Sequence, residues 1–213
     1  MLQSRTVCVF CGAGGKMSEV NMNNAFTLGQ KLAENGFHLV TGGANVGMMK
    51  KVVDGHADKS TLDLTRRGVM HEKFKPFKIS HPLIPDNNIT WACDIHTRLQ
   101  EFYRISDDIV VLPGGFGTLH ELMDVLVHSQ FGVITKRILL INTNMYWSPL
   151  IEQFKVMVHE EALPQKHLDH LIVVNTIEEA IERLKSKDEI NLSQGLDAER
   201  WAPSEILNVN SKL

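Results

Sequence analysis

The 213-residue chain has little that would tie it to a membrane, a polyanion or an oxidising compartment. No apolar run approaches the roughly 20 residues a helix needs to cross a bilayer. The N-terminus lacks the basic and apolar layout of a secretion signal. Lys and Arg number 22 against 25 Asp and Glu, a formal charge of −3, so nothing general attracts the chain to nucleic acid or to anionic lipid. Three cysteines is a small and odd count, best read as reduced thiols in a cytoplasmic protein. The ten histidines are dispersed, and there is no HExxH, no double CxxC and no carboxylate cluster with ligand spacing. Cys8-Val9-Phe10-Cys11 is CxxC in letters only, with Cys8 inside an apolar run. The expectation is a soluble protein with no metal or organic cofactor, no membrane and no nucleic-acid partner.

What is present is 43% hydrophobic residues with 22% charged, enough for one sizeable core. Thr6-Val7-Cys8-Val9-Phe10 is a short continuous apolar run, as expected of a strand buried on both faces of a parallel sheet. A glycine-rich turn from Cys11 to Gly15 follows, then helical spacing from Met22 to Ala33 and a helix stop at Asn35-Gly36. The pattern repeats with a strand over 37–40, a turn holding Gly42, Gly43, Asn45 and Gly47, and a helix over 48–58. It appears a third time where Val110-Val111-Leu112 leads into Pro113-Gly114-Gly115-Phe116-Gly117-Thr118 and a helix carrying Glu121. Arg137–Ile141 and Leu171–Val174 read as further strands, and Thr176 with Glu179 as a capping box before a last helix.

This alternation predicts one α/β domain over 1–186, a Rossmann-like doubly wound parallel sheet with helices on both faces. Two stretches resist the pattern. Residues 73–90 are polar, basic and broken by prolines, and read as a surface excursion, either a lid or an oligomer contact. Residues 187–213 are polar and unpatterned around Trp201, and read as a tail or arm.

Doubly wound sheets bind ligands where the strands end, so three glycine-rich turns point to one nucleotide-sized crevice. Gly114, Gly115 and Gly117 let a ligand approach the main chain, and the helix start offers free N–H groups to an anion. Gly12, Gly42, Gly43, Asn45 and Gly47 are placed with them as binding residues, and Thr118 adds a hydroxyl. Glu121 is the candidate carboxylate. Arg98, on a helix over 94–106, offers a planar cationic fork suited to phosphate, to a leaving base or to orienting Glu121.

The segment from Pro113 to Glu121 resembles the PGGxGTxxE signature of the LOG family, formerly described as possible lysine decarboxylases. The chain is similar to that family elsewhere too. Val9-Phe10-Cys11-Gly12 resembles its opening strand and loop, Gly42 to Met49 its GGGxxGLM segment, and Asp94-Ile95-His96-Thr97-Arg98 its DMHERK helix. It departs at Thr97 and Leu99, at the Ala13-Gly14-Gly15 loop, and at Gly68-Val69-Met70-His71 where the family has GVIP. The resemblance implies hydrolysis of the N-glycosidic bond of a nucleoside 5′-monophosphate, of AMP or N6-substituted AMP type, to free base and ribose 5-phosphate. It implies Glu121 and Arg98 as the catalytic pair and a homodimer or higher homo-oligomer. The fold and glycine turns also resemble those of molybdenum cofactor carrier proteins, which makes a non-catalytic nucleotide or cofactor carrier the alternative.

Overall fold

The computed structural model describes residues 4–186, so the tail read over 187–213 lies outside the described residues. The first strand, β1 (Thr6–Phe10), lies at the centre of a seven-stranded sheet. On one side of it are β2 (His38–Thr41), β3 (Arg66–His71) and β4 (Ile89–Ala92), and on the other β5 (Asp108–Val111), β6 (Arg137–Ile141) and β7 (Leu171–Val174). Every pairing is parallel, with Cys8 opposite both Val40 and Ile109. A strand in that position is covered above and below, which is why its residues are apolar without alternation.

The two faces still divide by residue parity. Val7 and Val9 face the cluster that includes Leu28, Leu32, Met48 and Leu184. These come from α1 (Glu19–Glu34), α2 (Gly47–Lys59) and α7 (Ile177–Lys185). Cys8 and Phe10 face the opposite cluster, with Phe102, Leu122 and Phe154. These come from α3 (Ile95–Ile105), α4 (Phe116–Gln130) and α5 (Ser148–His159). The short α6 (Gln165–Leu168) precedes β7. The single doubly wound domain expected from the pattern is the fold observed.

Local signals explain the helix ends. The Ser18 hydroxyl accepts from Asn21 N–H at the start of α1, and Gly36 at φ 76° lets the chain turn after it. The Thr176 hydroxyl accepts from Glu179 N–H at 3.1 Å, while the Glu179 carboxylate accepts from Asn175 N–H at 2.7 Å. Helices α1 and α2 cross closely enough that a Cβ on Gly29 would collide with the Val52 carbonyl, and one on Gly55 with the Phe26 carbonyl. At the amino end of the sheet, buried Asp108 accepts from Arg5 and from Arg137, the latter at 3.1 Å.

The stretch 73–90 is more structured than a free excursion. It holds short 3-10 turns at Glu72–Phe77 and Asp86–Asn88, and it is pinned to the turn after β2 by His81 N–H to Gly43 O at 2.9 Å. It leads into β4, an edge strand the sequence pattern did not predict.

The strand order reverses at β1 and β5, whose following helices, α1 and α4, lie on opposite faces. A crevice opens where two such chains part.

Candidate functional site

That crevice is built from turns that hold each other. Gly12 N–H donates to Pro113 O at 3.0 Å, and a Cβ on Gly12 would lie 3.3 Å from Gly114 Cα, so the turns after β1 and β5 touch backbone to backbone. Met48 N–H donates to Gly12 O at 3.0 Å, bringing in the turn after β2, and Gly47 makes that approach at φ 53° with Ala13 against it. Gly114 carries no Cβ because the Thr118 side chain occupies that space, and its carbonyl accepts from the Tyr146 hydroxyl at 2.7 Å.

The residue before helix α4 is Gly115, which has no side chain to cap it. The first intrahelical bond is Leu119 N–H to Gly115 O at 2.9 Å. The earlier first-turn N–H groups are therefore free of intrahelical partners at the cleft, where the helix dipole favours an anion.

Glu121 stands in the second turn of α4, past the first-turn N–H groups. Being beyond that turn, it is held by a side chain rather than by the dipole. Arg98 Nη1 donates to Glu121 Oε1 at 2.8 Å. Arg98 is itself held by a hydrogen bond and a ring contact, and Gly42 leaves room for it. Its Nε donates to Val69 O at 2.9 Å, its guanidinium lies 4.7 Å from the centre of the Phe102 ring, and a Cβ on Gly42 would come within 2.8 Å of Nη2. Arg98 and Glu121 thus form an ion pair between α3 and α4. Tyr103, donating to Asp124, ties α3 to α4 beyond the pair.

Burial pushes the Glu121 carboxyl above the ordinary Glu range, and Arg98 pulls it back only in part. The Cys8 and Cys11 thiols are pushed up by burial, with Glu121 adding to the effect, so they stay protonated. Their place in the core agrees with the reading of core thiols.

The open cleft has a volume of about 720 Å³. Of the residues singled out in the sequence, Gly42, Arg98, Gly115, Gly117, Thr118 and Glu121 line it. Gly12, Gly43, Gly47 and Gly114 do not line it; they are buried in the close-packed backbone behind it. Asn45 is exposed, and its backbone N–H is committed to Ile79 O at 2.7 Å. His96 and His120 are exposed and outside the lining. The residues that sequence reasoning missed form the far wall: His71, Lys73, Phe74, Phe77 and Ile79, with Met49 beside them. The signals for them are the reading of 73–90 as a lid or oligomer contact and the departure from the family pattern that ends at His71, neither of which names a binding residue. Among the described residues, no group of three or more His, Cys, Asp or Glu is placed to hold a metal, and no helix is long and apolar enough to cross a membrane.

The departures from the family pattern have local explanations. Thr97 serves the start of α3: Asp94 accepts from its backbone N–H at 2.7 Å and from its hydroxyl at 3.0 Å, which holds the Asp94 carboxyl below the usual range. Leu99 is buried in the core cluster under α3.

The chain is 33% identical over 182 residues to the probable cytokinin riboside 5′-monophosphate phosphoribohydrolase LOGL2 of Oryza sativa subsp. japonica, covering 85% of this chain and 72% of that one. It is 28% identical to the cytokinin riboside 5′-monophosphate phosphoribohydrolase LOG of the same plant, over 85% of this chain and 73% of that one. Among solved structures, the molybdenum cofactor binding protein of Rippkaea orientalis shares the fold with a TM-score of 0.64 at 20% identity, over 87% of this chain and 98% of that one. The family model described as possible lysine decarboxylase matches residues 42–184, and the chain thus belongs to that family, the LOG family.

Proposed function

We propose that this protein is a hydrolase that cleaves the N-glycosidic bond of a nucleoside 5′-monophosphate, of AMP or N6-substituted AMP type, giving free base and ribose 5-phosphate. The observation that carries the reading is the Arg98–Glu121 pair, a buried carboxylate oriented by a fixed guanidinium and opening into the same cavity as the uncapped start of α4. The relatives named as phosphoribohydrolases act on substrates of this class, which supports it.

Each part of the cleft has a chemical task in this reaction. The 5′-phosphate binds the first-turn N–H groups of α4 and the Thr118 hydroxyl, converting phosphate affinity into position of the sugar. Breaking the glycosidic bond builds positive charge on the ribose, which the Glu121 carboxylate stabilises in a water-poor site. The same carboxylate takes a proton from the attacking water, a role that a raised pKa suits because it strengthens the base. Arg98 keeps Glu121 at its post and limits how far burial raises it. The protein acts as a homodimer in the cytoplasm, with the α4 face as the contact between copies.

The test is incubation of the purified protein with AMP and with N6-substituted AMP, followed by chromatography for free base and ribose 5-phosphate. Release by the native protein and its loss in Glu121→Ala is the expected result. Tight nucleotide binding with no release would instead mark a carrier, and the enzyme reading would fall.

A further inference from the structure

The polar groups of the cleft are unevenly shared. Arg98, Glu121, Thr118 and the start of α4 gather at the β5 side, while the opposite wall is mainly apolar, with Met49, Phe74, Phe77 and Ile79. Phe74 and Phe77 are 46% and 69% exposed, a large aromatic surface left open inside a cavity and suited to a flat base. With phosphate at α4 and sugar at Glu121, this wall is where the base lies.

Only two polar side chains of the 3-10 turn and its approach line the cavity here, His71 and Lys73. His71 Nδ1 accepts from Lys73 N–H at 3.0 Å, which commits that ring nitrogen to the backbone of the turn. Lys75, two residues on, is committed elsewhere: its amine pairs with Glu72 at 2.8 Å and lies 5.4 Å from the centre of the Trp91 ring. The Lys73 ammonium has no ion pair or hydrogen bond among the described residues. It is a free, cationic donor in the wall that faces the base.

Resting on the hydrolase reading above, we propose that Lys73 is the leaving-group residue of the cleft, its Nζ–H donating a proton to a ring nitrogen of the departing base. The C1′–N bond breaks with its electron pair going to the base, and the Lys73 proton neutralises that pair. Water oxygen bonds to C1′ while its proton passes to Glu121. Solvent then takes the proton from Glu121 and returns one to Lys73. The His71 contact to the backbone at Lys73 holds the start of the turn in place for this.

The reaction calls for such a group because an unprotonated purine departs as an anion. A substrate whose base is already cationic makes the donor unnecessary. The experiment compares AMP with 7-methylguanosine 5′-monophosphate, whose base leaves as a neutral molecule, across native protein, Lys73→Met and Lys73→Arg. Lys73→Met is expected to lower kcat on AMP by about 10²-fold, the usual scale for losing a general acid. On the methylated substrate the same variant is expected to stay within about threefold of native kcat, whereas Lys73→Arg, whose guanidinium keeps the charge but cannot give up a proton, is expected to stay nearly as slow on AMP as Lys73→Met. Equal losses on both substrates, or no loss on either, overturn the role of Lys73 while leaving the Glu121 reaction standing. Failure of the native protein to release base from either nucleotide overturns the hydrolase reading and the proposal with it.

Discussion

At the scale of single residues, Glu121 is where burial and charge compete. Desolvation raises its pKa and Arg98 lowers it, with desolvation the larger effect. As the base of the proposed reaction it must be ionised, so activity is expected to fall as pH drops through its folded value. The acid limb of kcat/KM against pH is expected above the ordinary Glu value of about 4.3. Arg98→Gln removes the group that lowers this value, so the limb is expected to move to higher pH, with much reduced activity; a limb that stays put would show that another group titrates. Stability follows the opposite sign. A carboxyl with a raised folded pKa binds its proton more tightly when folded, so its favourable contribution is present at low pH and lost as pH rises through that value. Glu121→Gln is therefore expected to keep or raise the thermal midpoint at pH 7 while abolishing base release, a separation that calorimetry and product analysis would show together.

At the scale of elements, the site depends on how closely three turns and two helix pairs approach. Gly29 and Gly55 let α1 and α2 touch backbone to backbone. Gly29→Ala forces the helices apart, since a carbonyl cannot move aside as a flexible side chain can. The expected cost is about 3 kcal/mol, read from denaturant unfolding. Gly36→Ala is strained for a different reason, its φ of 76°, though its surroundings are open; the expected cost is about 1 kcal/mol. How much of this could be read beforehand depends on how many neighbours each element has. Strands β1, β5 and β6 are covered on both faces and announce themselves as apolar runs. Strand β4 pairs on one side only, and its Ile89-Thr90-Trp91-Ala92 is half exposed, so it carries no such run. The far wall of the cleft was missed because a 3-10 turn with Pro76 inside it has neither a helix nor a strand period. The Arg98–Glu121 pair was legible as two residues 23 positions apart in the chain, but the part played by Val69, Phe102 and Gly42 in fixing Arg98 was not. Those contacts arise from β3, α3 and β2 meeting at the sheet edge, which no local spacing records.

At the scale of the whole molecule, α4 joins the cleft to an uncovered surface. Phe116 at its start is 92% exposed, and Val127 and Phe131 at its far end are 43% and 41% exposed. Spacings of eleven and then four residues keep these side chains near one stripe of the helix. Val133, just past the Gly132 turn, extends the stripe and is 67% exposed. Single exposed apolar residues are ordinary, but a stripe along one helix, starting at the lip of the cleft, fits a surface that a second copy covers. Light scattering after size exclusion is then expected to give about twice the 24.0 kDa chain mass. Val127→Asp combined with Phe131→Asp would place charge in the contact while leaving the buried face of α4, with Leu122 and Val125, untouched. The double variant is expected to run as a folded monomer. Because the stripe begins beside Gly115 and Gly117, separation of the copies should also raise KM for the nucleotide more than it lowers kcat. A monomeric native protein with full activity would mean that each cleft is complete within one chain.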